Sequence, residues 1–357
     1  MKVLIINDYP TIVGGAERFL ENLLHEAEPS AIDFVRLDIA DLAKEIRLPS
    51  GSSFIHHRYR RIGIFAGLVR SISEWIEKLS PDLIHLNNSN LYTNSVLRSL
   101  QQTSIPVVSF IHDEYAMRRI SSPFYIRTAH SFTFLTHSAD FYQKLIKLSR
   151  KAYLVKVPFN PTKWERTHTN TCTCSHVKTD LLFVGRIEKA KGIFKLIHAI
   201  ERVKAKIPSV KVAILGDGSE LGALKQMVSA KKLTANVEIR GMQHDQVVMD
   251  YYHHTKILVF PSTIESLGYV GLEAQSCGVP VVAFENKGSS RWCMDNHSGF
   301  MVKERSAQKL ADKVLEIIHD DVILTRISTT ARENIRLEGY NASKHKITDI
   351  YKAVLSW

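Results

Sequence analysis

Short apolar runs alternate with longer amphipathic segments along this chain, and the alternation is interrupted once near the middle. The first series predicts strands at residues 3–6, 32–36, 83–86, 107–111 and 132–135, and helices at 17–26, 70–79 and 93–101. Strands that alternate with helices predict a parallel sheet with right-handed crossovers. The interruption at residues 157–161 contains two prolines and precedes a Thr- and Cys-rich stretch without periodicity. We interpret it as a boundary between domains.

A second series of the same kind follows the interruption. It predicts strands at residues 181–184, 210–215, 237–239, 257–260, 281–284 and 300–302, and helices at 194–206, 220–231, 246–254, 270–277, 307–318, 323–336 and 343–355. The predicted fold class is therefore α/β, with two Rossmann-like, doubly wound domains facing each other across a cleft. The predicted boundaries are 1–160 for the first domain, 161–178 for a linker, 179–340 for the second domain and 341–357 for a final helix.

Composition excludes several other classes of protein. The chain has 357 residues, of which 45% are hydrophobic and 23% charged, so disorder, collagen and coiled coil do not fit. No apolar run approaches the ~18 residues that a membrane-spanning helix needs. The N-terminus has four apolar residues before a polar stop, too few for a signal-peptide core. Four cysteines are too few for a disulfide scaffold, so we expect a cytoplasmic protein.

Positive charge is concentrated in the first half of the chain. The formal net charge is +11, and residues 47–70 contain five arginines and no acid. Such a segment predicts an anionic partner, although a solvated basic face fits equally well. Arg58, Arg60 and Arg61 lie beside apolar residues. This mixture fits either an anionic membrane surface or a solvent-facing loop.

The first motif that can carry chemistry is the Gly-Gly-Ala-Glu segment at residues 14–17, between the first predicted strand and its helix. Glycines allow a ligand to approach the backbone closely, and a helix start offers N–H groups and a positive dipole end. Gly14 and Gly15 therefore predict an anion site. A plain turn is the alternative.

The second motif lies at the end of the first strand of the second domain. Gly185-Arg186 and Lys191-Gly192 occupy its following loop, at the carboxyl edge where parallel sheets bind ligands. An Arg fork and a Lys ammonium five residues apart can hold a diphosphate. The alternative is a solvated basic loop.

The third motif spans residues 260–280 and carries two carboxylates. Glu265 lies in a predicted loop and Glu273 lies eight residues later, inside a predicted helix. A carboxylate can accept hydrogen bonds from two hydroxyls, as a ribose diol offers. The helix start behind Ser266, Leu267 and Gly268 can hold a phosphate. Solvation at the surface is the usual state of a lone Glu.

Together these motifs resemble a known family. The Glu265–Glu273 spacing resembles the Glu-x7-Glu signature of retaining nucleotide-sugar glycosyltransferases of family 4, which have the two-domain GT-B fold. Residues 81–85 (Pro-Asp-Leu-Ile-His), the pair His112-Asp113, the Gly-Arg and Lys-Gly pairs and residues 215–218 (Leu-Gly-Asp-Gly) match further motifs of that family in the same order. The resemblance covers nearly the whole chain.

The resemblance implies a role for each matching position. Arg186 and Lys191 would hold the donor diphosphate and stabilise the charge that develops on it. Glu265 would contact hydroxyls of the transferred sugar, and His112 would lie near the reacting carbon. The remaining donor-binding positions would be Gly14 and Gly15 beside the phosphates, Ser266, Leu267 and Gly268 through their backbone, and Glu273 at the ribose. The final helix would cross back to the first domain.

One loop departs from the family pattern. Where the family often has Gly-Gly followed by Glu, residues 288–292 read Gly-Ser-Ser-Arg-Trp. The chain also has no Asp-x-Asp, so we expect Arg and Lys to replace a divalent metal. No metal or other cofactor is expected, because His168, Cys172, Cys174 and His176 do not have a standard zinc spacing.

The expected function is that of a retaining, metal-independent glycosyltransferase. It would move a hexose-type sugar from a nucleotide-diphosphate sugar, with UDP favoured, to a glycan or lipid-linked acceptor in cell-envelope polysaccharide biosynthesis. It would work in the cytoplasm or at the inner face of the plasma membrane. One alternative is a nucleotide-sugar epimerase or hydrolase on the same fold. Another is a non-catalytic protein that binds an anionic surface or nucleic acid, although no nucleic-acid motif appears and none is expected as a partner.

Overall fold

The computed structural model describes residues 1–8, 14–25, 32–39, 62–87, 93–101, 103–120, 125, 131–148, 150–165, 178–337 and 342–356. The chain divides into two compact units, Met1–Phe159 with Tyr340–Trp357, and Asn160–Gly339. Two features singled out in the sequence lie outside the described residues. They are the basic segment with Arg58, Arg60 and Arg61, and the cluster with His168, Cys172, Cys174 and His176.

The first unit contains one parallel sheet of six strands in the order β2-β1-β3-β4-β5-β6. The strands are β1 (Lys2–Asn7), β2 (Asp33–Asp38), β3 (Leu83–Leu86), β4 (Val107–Ile111), β5 (Thr133–Thr136) and β6 (Lys151–Leu154). The helices are α1 (Gly15–His25), α2 (Ile62–Leu79), α3 (Thr93–Leu100), α4 (Glu114–Ile120), α5 (Ala139–Lys147) and, from the end of the chain, α12 (Ala342–Leu355).

The strand order of this unit reverses beside its first strand. The chain passes from β1 to β2 on one side and then returns to β3 on the other side. Strands β3, β4 and β5 are buried along their whole length, because helices cover both faces of such a sheet and both faces need apolar side chains. The gap between the carboxyl ends of β1 and β3 is therefore the topological switch point, where ligands of this fold class bind.

The second unit contains a parallel sheet of six strands in the order β12-β11-β10-β7-β8-β9. The strands are β7 (Thr179–Val184), β8 (Val212–Leu215), β9 (Val237–Gly241), β10 (Thr255–Phe260), β11 (Val281–Phe284) and β12 (Phe300–Val302). The helices are α6 (Ile193–Lys206), α7 (Leu221–Ala230), α8 (Asp245–His253), α9 (Tyr269–Ser276), α10 (Ala307–Ile317) and α11 (Asp321–Leu337). Here the order reverses between β7 and β10, which pair directly.

The two doubly wound sheets predicted from the sequence are confirmed. Three short elements of the first unit were missed. Helices α4 and α5 and the edge strand β6 (four residues, both ends exposed) are each short and lie in a basic stretch. Gly15 begins α1, so the helix starts two residues earlier than predicted.

The start of the predicted linker packs on the second unit. Pro161–Lys163 form a single 3₁₀ turn, and the following Trp164 is 1% exposed. Its carbonyl accepts the thiol of Cys277 at 3.0 Å. An indole of this size contributes to a core when it is buried, so residues 161–165 belong to the packed part of the second unit.

Candidate active site

An ion pair lies at the switch point of the second unit. Lys191 Nζ donates to Glu265 Oε1 at 2.5 Å, and the two side chains are 18% and 12% exposed. Ser262 Oγ donates to the same carboxylate oxygen at 3.0 Å. The structure thus brings together two residues that the sequence placed in separate motifs, 74 positions apart.

Two loops hold this ion pair in place. The loop after β7 contains a 3₁₀ turn (Lys189–Lys191), and Thr263 from the loop after β10 donates its N–H and its hydroxyl to Ala190 O at 3.0 and 3.1 Å. Gly192 has φ 72°, and a Cβ built there would lie 2.0 Å from Pro261 O. Only glycine fits so close to a carbonyl, so the two loops meet with little freedom for Lys191 to shift.

Glu273 lies deeper, on the second turn of α9. It is 2% exposed, and its Oε2 accepts the hydroxyl of Tyr252, from α8, at 3.1 Å. Burial of a carboxylate is costly without hydrogen-bond donors. Tyr252 OH supplies one and fixes where the carboxylate sits.

The loop at residues 288–292, which departs from the family pattern, hydrogen-bonds the backbone of residues 266 and 267. Trp292 Nε1 donates to Leu267 O at 2.7 Å, and Arg291 Nη1 donates to Ser266 O at 3.4 Å. Trp292 is 1% exposed. Gly268 adopts φ 86° at the start of α9. The Gly-Ser-Ser-Arg-Trp loop therefore holds this backbone segment in place.

Arg186 pairs with a different carboxylate from Lys191. Its Nη1 donates to Glu188 Oε1 at 2.8 Å, and its side chain is 52% exposed. Residues 178–337 are described without a gap, and in them Arg186 pairs with Glu188 whereas Lys191 pairs with Glu265. The two cations predicted to hold a diphosphate therefore each pair with a different carboxylate in this structure.

In the first unit, His112 follows β4 and stacks on Phe110, with ring centroids 4.4 Å apart. Its Nε2 lies 3.1 Å from Asn87 Oδ1. Burial, then the proximity of His137 and His85, holds the pKa of His112 well below its usual value. The imidazole is therefore neutral at physiological pH, and it can exchange hydrogen bonds with neutral groups.

The glycine segment is linked to the same asparagine. Gly15 begins α1, and Ala16 O accepts Asn87 Nδ2 at 3.0 Å. Gly14 O accepts Arg18 N at 3.1 Å within the first helical turn. The predicted Gly14–Gly15 turn and His112 are therefore joined through one buried amide.

His85, the last residue of the Pro-Asp-Leu-Ile-His motif, pairs with the final helix. Its Nδ1 hydrogen-bonds the hydroxyl of Tyr351 on α12, and both residues have no exposed surface. Burial lowers the pKa of His85 to about 3 and raises that of Tyr351. This hydrogen bond between two neutral groups fixes α12 against β3, which is a structural role, while His85 Nε2 is buried without a partner among the described residues.

Sequence reasoning missed Ser262, Tyr252 and Asn87. Asn87 follows β3 directly, at a sheet edge where polar residues indicate a site, so it had a usable signal. Tyr252 had none, because its partner is 21 residues away on another helix. Ser262 lies inside the motif that contains Glu265, and its short hydroxyl gives no pattern of its own.

Comparison with known families identifies the chain. A family model described as Glycosyl transferases group 1 matches residues 175–334, and one described as Glycosyltransferase Family 4 matches residues 13–186. The two matches overlap at residues 175–186 and together span residues 13–334, most of both units. The chain belongs to the group 1 glycosyltransferases.

Relatives of this glycosyltransferase act on diverse acceptors. It is 23% identical to the 2-deoxystreptamine N-acetyl-D-glucosaminyltransferase of Niallia circulans. The alignment has 263 residues and covers 71% of this chain and 64% of the relative. It is 31% identical over 169 residues to the poly(ribitol-phosphate) alpha-N-acetylglucosaminyltransferase of Staphylococcus aureus, covering 46% of the chain and 34% of the relative. The chain thus spans less than two thirds of the length of these relatives.

Solved structures match over the full length. Anabaena HepE, solved with UDP and glucose, superposes with a TM-score of 0.77 at 19% identity. The superposition covers 99% of this chain and 100% of the HepE chain. The sucrose-phosphate synthase of Thermosynechococcus elongatus gives a TM-score of 0.76 at 17% identity and 99% coverage of both chains. The predicted GT-B fold is confirmed.

No described helix is both long and apolar enough to cross a bilayer.

Proposed function

We propose that this glycosyltransferase is a retaining, metal-independent enzyme that transfers a hexose-type sugar from a UDP-sugar to a glycan or lipid-linked acceptor. The observation that carries the proposal is the ion pair of Lys191 and Glu265 at the switch point of the second unit. A cation beside a carboxylate that can accept hydrogen bonds from hydroxyls suits a ligand that has a diphosphate next to a sugar.

Lys191 and Arg186 supply the positive charge for the diphosphate. As the glycosidic bond breaks, negative charge grows on the leaving nucleotide, and a cation already in position stabilises that charge without reorganisation. Two such cations take the place that a divalent metal has in other transferases. Metal independence is thus part of the proposal.

Glu265 changes partner when the donor binds. In this structure its carboxylate neutralises Lys191. A bound diphosphate offers Lys191 a more highly charged partner and leaves the carboxylate to accept hydroxyls of the transferred sugar. Ser262, which donates to Glu265, holds the carboxylate in position during this exchange.

Glu273 and the start of α9 hold the rest of the donor. Glu273 accepts the ribose hydroxyls, and the backbone N–H groups of Ser266, Leu267 and Gly268 face a phosphate. Gly14 and Gly15, at the start of α1, offer the diphosphate a second helix N-terminus.

His112 serves the sugar rather than the phosphates, because a neutral ring gains little from an anion. Retention then follows from attack by the acceptor on the same face as the departing diphosphate. The acceptor hydroxyl gives its proton to a phosphate oxygen as the sugar–phosphate bond breaks. No side chain needs to form a covalent intermediate.

Names of relatives favour an envelope acceptor. They include a lipopolysaccharide core glycosyltransferase of Rhizobium meliloti and the capsular polysaccharide glycosyltransferase CapM of Staphylococcus aureus. We therefore assign the enzyme to cell-envelope polysaccharide biosynthesis at the inner face of the plasma membrane. Arg58, Arg60 and Arg61 would contact anionic lipid there.

The test begins with thermal unfolding in UDP, GDP and ADP, since a ligand that binds only the folded state raises the unfolding temperature. UDP should give the largest rise. NMR of products from a UDP-α-sugar then decides the reaction. An α-linked product supports the proposal, and a β-linked product contradicts retention.

Other products would identify the alternatives. Free sugar as the main product would indicate a hydrolase, and an altered UDP-sugar would indicate an epimerase. EDTA should leave transfer intact, whereas loss that Mg²⁺ or Mn²⁺ restores would contradict metal independence. Binding of the protein to DNA that is stronger than its binding to any nucleotide sugar would contradict the proposal as a whole.

A further inference from the structure

Four polar side chains form a continuous chain of hydrogen bonds at the switch point of the first unit. Asn7 Nδ2 donates to Asp38 Oδ1 at 3.0 Å, and Asn87 Nδ2 donates to Asn7 Oδ1 at 2.9 Å. Asn87 Oδ1 lies 3.1 Å from His112 Nε2. The chain thus runs across β2, β1 and β3 to the residue that follows β4.

This chain has a direction because one end can only accept. Asp38 is a carboxylate that also takes a hydrogen bond from Arg36 Nε at 2.8 Å. An ionised carboxylate has no proton to donate, so Asn7 must present its NH₂ group to Asp38 and its carbonyl oxygen to Asn87. Asn87 must then present its NH₂ group to Asn7 and its oxygen to His112.

A second acceptor fixes the same orientation of Asn87. Its Nδ2 also donates to Ala16 O at 3.0 Å. If the amide turned over, its oxygen would face both Ala16 O and Asn7 Oδ1, and two hydrogen bonds would be replaced by repulsion. Asn7 and Asn87 have no exposed surface, so water cannot compensate, and an unmade buried hydrogen bond costs about 1–3 kcal/mol.

We propose that Asp38, Asn7 and Asn87 are positioning residues that hold His112 in the Nε2–H tautomer, so that Nδ1 acts as a hydrogen-bond acceptor for a hydroxyl of the substrate. Asn87 Oδ1 accepts only if Nε2 carries the proton, and the neutral ring then has its lone pair on Nδ1. The inference about the substrate rests on the proposed function, whereas the tautomer does not.

The tautomer determines which ligand chemistry His112 recognises. An unprotonated Nδ1 attracts the O–H group of a sugar and repels a phosphate oxygen, which also carries lone pairs. Among the described residues, the ionisable groups that shift the pKa of His112 are His137, 6.4 Å away between ring centroids, and His85. Both oppose a positive charge on His112, so a charged ring that would bind phosphate is disfavoured.

The direct test is ¹⁵N NMR of the histidine rings in the full-length protein, with the His112 signal assigned by its loss in His112→Gln. In the wild type between pH 6 and 8, we expect Nε2 to be of the protonated type and Nδ1 of the unprotonated type. A wild-type His112 with the proton on Nδ1, or on both nitrogens, would overturn the proposal.

Asp38→Asn tests whether the hydrogen-bond chain from Asp38 through Asn7 and Asn87 to His112, here called the relay, sets the tautomer. An amide at this end can donate, so Asn7 can turn over and favour a reversed Asn87, against the hydrogen bond to Ala16 O that remains. A fraction of the molecules then presents Asn87 Nδ2 to the ring. We expect a measurable Nδ1–H population and a loss of about two- to tenfold in kcat, the value of one hydrogen bond, with KM for the donor unchanged.

The matched control is Asp33→Asn, the same substitution at the other end of β2, where the exposed Asp33 pairs in register with Lys2. It should leave the His112 spectrum as in the wild type. If Asp38→Asn does not fold, Asn7→Leu interrupts the same chain and should also raise the Nδ1–H population. Equal spectra for the Asp38 and Asp33 variants would overturn the relay.

The outcomes separate this inference from the proposed function. If the enzyme has no transferase activity but His112 carries its proton on Nε2 and Asp38→Asn shifts it, the relay stands and the proposed function fails. If transfer proceeds but the tautomer does not respond, the relay fails and the proposed function stands.

Discussion

The two units share one topology, yet their switch points carry opposite chemistry. Between β1 and β3 lies a chain of neutral amides that ends on a neutral imidazole, with its only carboxylate at the far end. Between β7 and β10 lies the ion pair of Lys191 and Glu265. A diphosphate needs positive charge, whereas a neutral imidazole suits a hydroxyl. We therefore expect a division of labour in which Lys191 of the second unit meets the diphosphate and His112 of the first unit meets a hydroxyl of the substrate.

Lys191→Ala should break the charged side of this comparison and have the largest effect. Truncation removes a cation aimed at the leaving group and leaves Glu265, whose side chain is 12% exposed, without that cation. We expect kcat to fall about 10²- to 10³-fold, which is about 3–4 kcal/mol of barrier, and the unfolding temperature to fall because a largely buried carboxylate loses its partner.

The control for this change is Lys189→Ala in the same 3₁₀ turn. Lys189 Nζ lies 3.7 Å from Glu220, and the side chain is 77% exposed. Its loss should change turnover less than twofold, since exposed ion pairs contribute about 0–1 kcal/mol. Near-normal turnover of Lys191→Ala would contradict the assignment of the diphosphate site.

His112→Phe should remove the hydrogen bond that the neutral switch point of the first unit offers the substrate. Phenylalanine preserves the stack on Phe110 but has no ring nitrogen, so one hydroxyl of the substrate loses its partner. We expect a fall of about 10- to 100-fold in kcat, in line with an unmade hydrogen bond, and no change in UDP affinity measured by calorimetry. Because the pKa of His112 is depressed, the wild-type rate should not fall as pH drops from 7.5 to 6. A decline near pH 6.5 that His112→Phe abolishes would contradict the neutral ring.

Glu265→Gln sharpens the comparison, because it should move binding and turnover in opposite directions. The substitution removes the carboxylate that competes with phosphate for Lys191. We expect UDP to bind about fivefold more tightly, the value of a partly exposed ion pair, while transfer slows because an amide accepts sugar hydroxyls less well. Weaker UDP binding would indicate that Glu265 orients Lys191 rather than competing for it.

Tyr252→Phe should give the smallest effect. The change removes the hydroxyl that donates to Glu273 Oε2, and the ring remains in the core. The preference of the enzyme for UDP over 2′-deoxy-UDP should fall about threefold, because a less fixed carboxylate discriminates less well between ribose hydroxyls. If the wild type has no such preference, Glu273 does not bind ribose. If the preference exists but persists in Tyr252→Phe, Tyr252 does not position Glu273.

The central strands could be predicted from sequence because strands buried on both faces read as continuous apolar runs. The edge strand β6 could not, since one side of it faces solvent and two of its four residues are exposed. Helix α4 is too short for a clear periodic pattern, whereas α5 has an N-cap at Ser138 and buries Phe141 and Leu145, four residues apart, which is a signal that could have found it.

The candidate site was predictable where position along the chain implies position in space. The loops with Lys191 and Glu265 follow strands of one parallel sheet, so both belong to its carboxyl edge. Their pairing, the support of Glu273 by Tyr252 and the link between Asn7 and Asn87 join residues 74, 21 and 80 positions apart. Side-chain packing decides such contacts, and no spacing rule predicts them.

The ratio of UDP affinity to uridine affinity tests the central claim most directly, because the two ligands differ only by the diphosphate. Calorimetry on the wild type, Lys191→Ala and His112→Phe would give three ratios. The division of labour predicts that the ratio collapses in Lys191→Ala, by about tenfold or more for a lost charge-assisted hydrogen bond, and stays at the wild-type value in His112→Phe. A ratio that falls with His112→Phe and survives Lys191→Ala would contradict it.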